Sequence, residues 1–196
     1  MKLPQFDYVA PGTLDEATAI LAEHGGEALA LAGGQSLMPL MAFRLVQPKM
    51  LVDLGKVPGL SGIEVGDAVV RVGATTRWRD IDKSAELAAA LPLWREAVQH
   101  VAHYQIRNRG TIGGSLAHAD PAAEFPAVVL ACDATIDIAG AKRRRSIAAT
   151  ELFTGALETS LAADEIITAI RVPRWPAGRR WAFQEFARRR GDFALA

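Results

Sequence analysis

Hydrophobic positions along this chain switch between two periods. Leu14, Ala17, Ile20 and Leu21 recur at helical spacing. They follow Thr13-Leu14-Asp15-Glu16, a capping-box pattern, and Gly25-Gly26 after His24 supplies a stop. That predicts a helix between a short strand around Phe6–Val9 and a buried strand, Ala28–Ala32, that runs straight into Gly33-Gly34. Ser36 is expected to cap a short helix from Leu37 to Phe43, and Met50–Asp53 reads as another strand. The chain up to about residue 55 therefore reads as a small β-α-β unit.

Pro58-Gly59 and Ser61-Gly62 mark a break. Ile63-Glu64-Val65 and Val69–Gly73 flank a Gly66-Asp67 turn as a hairpin. Ala85 to His103 is helical in pattern, with Pro92 starting a second helix. Asp120-Pro121 reads as an N-cap with proline at the first helical position, opening a helix through Ala131. Ala134–Ile138 and Arg145–Ile147 form a second hairpin around the basic run Lys142–Arg145, read as a solvated tip or a partner contact. Ile166–Val172 is a strand ended by Pro173, and Trp181–Ala187 is expected to be a last strand. Interleaved helices and hairpins define an α+β class with two subdomains, at 1–57 and 58–175. Residues 176–196 read as the start of a further, truncated C-terminal domain.

Composition narrows the function. Half of the 196 residues are hydrophobic, and 22 Lys+Arg balance 22 Asp+Glu. Such a chain folds, and it has no global basic field for nucleic acid. It lacks the run of about 18 apolar residues that a membrane span needs. Met1–Asp7 has no apolar region of a secretory signal, so a cytoplasmic protein is expected. One cysteine, Cys132, excludes an internal disulfide and any iron–sulfur cluster held by this chain alone, since a cluster takes about four thiolates. Cys132 reads as a small buried hydrophobe. His100 and His103 are i, i+3 neighbours without a third ligand nearby, so no metal site is expected.

Two segments carry candidate chemistry: Ala32-Gly33-Gly34-Gln35-Ser36-Leu37 and Thr111-Ile112-Gly113-Gly114-Ser115. Each pairs adjacent glycines with a hydroxyl residue. Without Cβ, backbone can approach an anion closely, and successive N–H groups can converge as a nest for phosphate oxygens. Either segment alone also serves as an ordinary turn. Neither matches the G-x-G-x-x-G fingerprint or the P-loop. Two in one small chain favour a dinucleotide site without saying which dinucleotide.

These two segments, together with Asp120-Pro121-Ala122-Ala123-Glu124 and Arg188-Arg189-Arg190-Gly191-Asp192-Phe193-Ala194, resemble the FAD-binding medium subunits of molybdenum hydroxylases of the carbon-monoxide-dehydrogenase and xanthine-dehydrogenase type. The resemblance runs over essentially the whole chain. It implies the FAD-binding fold of the vanillyl-alcohol-oxidase type, with a small N-terminal α/β subdomain, a larger one holding an antiparallel sheet, and FAD between them. It further implies cofactor contacts from Ala32, Gly33, Gly34, Gln35, Ser36 and Leu37 to the pyrophosphate. Thr111, Ile112, Gly113, Gly114 and Ser115 would line the cofactor from the second subdomain, and Ile167 would lie near the flavin ring. Glu124 stands where the family has an Asp at the ribose or adenine end. Gln184-Glu185 stands where some members carry a Lys, and Phe193 where some carry a Tyr. Arg188–Arg190 falls where the family runs basic, toward cofactor phosphate or a partner. The implied partners are a small [2Fe–2S] subunit and a large molybdopterin subunit, with FAD relaying electrons to an external acceptor. No catalytic side chain is expected here. The competing readings are a stand-alone flavin reductase of the same fold and a non-redox assembly module.

Overall fold

A computed structural model describes residues 2–189 and 191–196. The N-terminal unit comprises β1 (Asp7–Val9), α1 (Leu14–His24), β2 (Ala28–Leu31), α2 (Leu37–Ala42) and β3 (Met50–Asp53). Its three strands are parallel, in the order β1-β3-β2, as the β-α-β reading requires. The Thr13 hydroxyl accepts from the Glu16 amide at 3.1 Å. The reciprocal arm of the capping box reaches one residue further back, with the Gly12 N–H donating to Glu16 Oε2 at 2.9 Å. Ala17 and Leu21 of α1 pack on Ala28 and Val52 as the core of this unit.

The second unit begins with β4 (Ile63–Val65) and β5 (Val69–Gly73), the expected hairpin. Five short helices follow: α3 (Trp78–Lys83), α4 (Ala85–Ala90), α5 (Pro92–Ala97), α6 (Tyr104–Arg107) and α7 (Ile112–His118). After α8 (Glu124–Ala131) come β6 (Thr135–Ala139), β7 (Arg144–Ala148), a small hairpin of β8 (Phe153–Gly155) and β9 (Glu158–Thr159), and β10 (Ile166–Pro173). β10 lies at the centre of an antiparallel sheet ordered β4-β5-β10-β6-β7. Phe125 packs between Trp78 and Trp94, with ring centroids 4.4 and 5.3 Å apart. Cys132 is buried in the same core, and burial pushes its thiol pKa up.

Four expectations need correction. Ser36 does not cap α2 through its side chain, because its backbone is already helical (φ −103°, ψ −49°). The first turn instead starts at Gly34, in the left-handed region at φ +71°, whose carbonyl accepts from Met38 N. Asp120-Pro121 does not open α8. Asp120 Oδ1 accepts from the Ala122 amide, an Asx turn that uses up the carboxylate, and the helix begins at Glu124. The helical stretch beyond Pro92 stops at Ala97, not His103. The Gln99 and His100 amides bond three residues back, and Ala102 turns left-handed (φ 40°). Trp181–Ala187 is not a strand. It makes one isolated bridge, Ala187 to Ala194, and does not join the sheet.

Candidate functional site

The parallel strands end together, and so do the groups that follow them. Gly33 and Gly34 follow β2, Asp53 ends β3, and Tyr8 lies in β1. Open α/β sheets place ligands at this carboxyl edge. Here it borders a cavity of about 540 Å³, lined by Ala32, Gly33, Gly34, Gln35, Tyr8, Asp53 and Arg109 among others. Among the described residues, nothing accepts a hydrogen bond from the N–H groups of Gly33, Gly34, Gln35 and Ser36. Four successive free amides beside a left-handed glycine form an anion nest. Gln35 Nε2 donates to the Gly33 carbonyl at 3.0 Å and holds the loop in shape. The Arg109 guanidinium has no ion-pair partner among the described residues.

The second glycine segment is built differently. Thr111 caps α7, its hydroxyl accepting from the Gly114 amide at 3.3 Å. Ile112 N donates to Thr76 O at 3.1 Å, Gly113 N to Ala74 O at 2.8 Å, and Ser115 N to Thr111 O at 3.1 Å. All four amides of 112–115 are therefore spent within the protein. This segment is a helix start, and the phosphate nest that paired glycines allow is not formed by its amides. The Ile112 side chain faces the core. What the segment offers the site is thinness. With Gly113, Gly114, Ala30, Ala32, Ala74 and Ala117, it walls a crevice of about 80 Å³ closed on another side by Ile167. Six of its lining residues carry nothing beyond Cβ, so backbone stands close to the crevice on that side.

The two segments touch. A Cβ on Gly33 would stand 2.4 Å from the Arg109 carbonyl oxygen and 2.8 Å from Gly110 Cα. A Cβ on Gly114 would lie 3.7 Å from the Ala32 Cβ, and Ala32 borders both cavities. The structure thus brings Ala32, Gly33, Gly34, Gln35, Gly113, Gly114 and Ile167 to one cleft. Ser36, Leu37, Thr111, Ile112 and Ser115 flank it without lining either cavity.

Glu124 lies apart, at the start of α8, lining neither cavity. Burial raises its carboxyl pKa to about 6, helped by the nearby Glu185 and Asp120 carboxylates and opposed by backbone hydrogen bonding and His100. The Glu185 side chain is 6% exposed, and its Oε2 has no partner among the described residues. A raised carboxyl pKa is neutral for stability at low pH. The cost develops as pH climbs from 4.5 to 6, where the unfolded chain ionises and the folded one resists. Glu124→Gln should therefore stabilise the FAD-free protein by about 1 kcal/mol above pH 7, allowing for partial exposure, and by nothing below pH 4. Urea unfolding at the two pH values checks this.

Tyr8, Asp53, Arg109 and Glu165 are site residues that the sequence reading missed. The Tyr8 hydroxyl donates to Asp53 Oδ2 at 2.5 Å, and that hydrogen bond raises the phenol pKa. An acidic residue ending a short parallel strand was the available signal for Asp53. Glu165 borders the crevice with its side chain 1% exposed. Hydrogen bonds from Arg145, outweighing burial, hold its pKa at about 2. The basic run 142–145 is a solvated tip, as expected, with Lys142, Arg143 and Arg144 exposed, but it is also paired: Arg143 and Arg145 reach Glu165, and Arg144 reaches Asp15. Arg190 of the 188–190 run lies outside the described residues.

A parallel three-stranded unit and an antiparallel five-stranded unit bordering a cleft with paired glycines and free amides are the features of a dinucleotide-binding protein. Residues 4–175 match the family model described as the FAD binding domain in molybdopterin dehydrogenase, and the chain belongs to that family of oxidoreductase domains, with FAD as its cofactor. It is 48% identical over 197 residues to the nicotine 6-hydroxylase medium subunit of Paenarthrobacter nicotinovorans, covering all of this chain and 68% of that protein. It superposes with a TM-score of 0.97, at 41% identity, on carbon monoxide dehydrogenase from Hydrogenophaga pseudoflava lacking the Mo-pyranopterin moiety of its cofactor, covering 99% of this chain and 68% of the other. Quinoline 2-oxidoreductase from Pseudomonas putida 86 gives 0.95 at 43% identity, covering 100% and 67%. The chain thus spans about two thirds of the length of these relatives. Among the described residues no helix is long and apolar enough to cross a membrane.

Proposed function

We propose that this chain is the FAD-binding electron-transfer part of a molybdenum hydroxylase complex. FAD, when bound, supplies the redox chemistry, taking electrons from a [2Fe–2S] partner and delivering them to an external acceptor. This chain binds, orients and shields the cofactor. The amides of Gly33 to Ser36, with Arg109, hold the pyrophosphate. Gly113, Gly114, Ala74 and Ile167 wall the slot for the ring. Thr111 and Ser115 brace that wall, and Glu124, which lines neither cavity, is not assigned a cofactor contact. The unit at 1–57 and the unit at 58–175 close on the cofactor from two sides. The large partner carries the molybdopterin, and the complex acts in the cytoplasm.

The observation that carries this reading is the row of free amides at 33–36 beside a crevice that glycines and alanines wall on one side. Its test is reconstitution of the protein with FAD, read as bound-flavin absorbance. Gly114→Val fills the gap between Ala32 and Thr111. It should weaken FAD binding about a hundredfold, near 3 kcal/mol. Failure of the unsubstituted protein to hold FAD would end the proposal. FAD held equally well by Gly114→Val would remove the second segment from the site.

A further inference from the structure

An ion cluster built on one buried carboxylate stands on the seam between the two units. Glu165 immediately precedes β10 and is almost wholly buried. It receives Nε and Nη2 of Arg145 at 2.9 and 2.8 Å, a bidentate pair, together with Nε and Nη2 of Arg143, each at 2.9 Å. It also accepts from the Ala162 amide at 2.9 Å, while Arg145 Nη2 donates to the Ser160 carbonyl at 2.9 Å. The turn from 160 to 165 is thereby tied to β7 from two directions.

The neighbours of Glu165 give this tie its consequence. Ile166 packs in the core of the first unit with Ala17, Leu21 and Val52, whereas Ile167 packs in the core of the second. Two consecutive residues are thus committed to the two units that border the cleft. Leu161, Glu165, Ile166 and Ile167 all line the crevice that Gly113 and Gly114 also line. Arg144, between the two arginines that hold Glu165, reaches across to Asp15 on α1. One hairpin tip therefore grips both sides of the seam.

We infer that Glu165, Arg143 and Arg145 are positioning residues for FAD: their cluster fixes the 161–167 wall against Gly113-Gly114 and so sets the width and tilt of the slot. This rests on the FAD reading proposed above. A buried ion pair contributes geometry more surely than stability, because desolvation offsets much of the Coulomb gain. Packing commits Ile166 and Ile167 to the two units, but apolar packing has no direction of its own. The bidentate pair adds direction, since the planar guanidinium fork donates best to a carboxylate lying in its own plane.

The test uses Arg145→Lys, which keeps the charge and loses the fork, and Glu165→Gln, which keeps the shape and loses the charge. Three readings are taken: FAD dissociation constant, visible circular dichroism of the bound flavin, and thermal unfolding of the FAD-free protein. Arg145→Lys is expected to fold, to bind FAD about tenfold more weakly, and to change the flavin dichroism, as displacement of a binding wall does. Glu165→Gln should show the same changes more strongly. If it does not fold, Arg145→Lys decides alone. Wild-type FAD affinity and dichroism in Arg145→Lys, whether or not its unfolding temperature falls, would overturn the inference and leave the cluster as support for the fold only. Loss of FAD binding by the unsubstituted protein is a different result, which would strike the FAD reading itself.

Discussion

Gly33→Ala is expected to abolish FAD binding and to destabilise the FAD-free protein by about 3 kcal/mol. The methyl group would enter at 2.4 Å from the Arg109 carbonyl oxygen, 2.8 Å from Gly110 Cα and 3.0 Å from the Arg109 carbonyl carbon. All three are backbone atoms. A long side chain in the way could swing aside, but a backbone segment moves only with what it is bonded to. Gly110 O accepts from Trp78 N, and Gly110 N donates to Ile106 O at 2.7 Å, so the 109–110 peptide is held on both sides. The strain must be relieved by parting the two glycine segments, which opens the cleft. Two readings separate the effects: urea unfolding without FAD, and flavin retention after gel filtration. Gly26→Ala is the matched control. Its Cβ meets nothing within 4 Å, and its backbone lies outside the left-handed region. It should leave both readings unchanged to within about 0.5 kcal/mol. Normal stability and FAD binding in Gly33→Ala would mean the two segments do not meet as described.

Phe125→Ala is expected to cost about 3–5 kcal/mol, the range for removing a large buried aromatic. Phe125 is fully buried, stacked at a tilt on Trp78 and edge-on to Trp94. Its loss reaches the site through Trp78. The Trp78 indole lies where a Gly110 Cβ would stand, 2.9 Å from Cδ1. With Phe125 gone, Trp78 can settle into the vacated space and the 109–114 segment loses its support. FAD affinity should fall along with stability, and lowering the temperature should recover part of it as the fold is restored. Trp181→Ala, at a residue 40% exposed, should do neither. Denaturant midpoints for the three proteins, with and without excess FAD, measure this.

The elements legible in the chain were those whose signals are local. A period of 3.6 behind a Thr-x-x-Glu pattern is enough for α1, because the Thr13 and Glu16 groups satisfy donors within four residues of themselves. The hairpin of β4 and β5 and the long central strand β10 were visible for the same reason, as β-branched runs bounded by Gly-Asp and by Pro173. Trp181–Ala187 is comparably rich in aromatic residues and is not a strand. A strand exists only where a partner edge receives it, and no sequence window contains that partner. Asp120-Pro121 misled because an aspartate before a proline serves a helix cap or an Asx turn equally well, and the left-handed Ala119 preceding it selects the turn. The short helix α3 passed unnoticed since only Trp78 and Ile81 mark its buried face.

The candidate site divides in the same way. Paired glycines announce positions where backbone must come close, and composition alone is enough to exclude an iron–sulfur cluster held by this chain's single cysteine. The type of each segment was decided elsewhere. Whether a glycine N–H is free for an anion depends on the carbonyls around it. Thr76, Ala74 and Thr111 claim the amides of 112–115, whereas among the described residues nothing claims those of 33–36. The same holds for charge. Lys142-Arg143-Arg144-Arg145 is a basic surface run by sequence, and only folding sets a buried Glu165 from 20 residues away against two of its members. Local sequence determined which segments could turn, cap or extend; the tertiary structure decided what each would face, because hydrogen-bond partners and ion pairs are chosen by proximity in space, which the chain acquires only on folding.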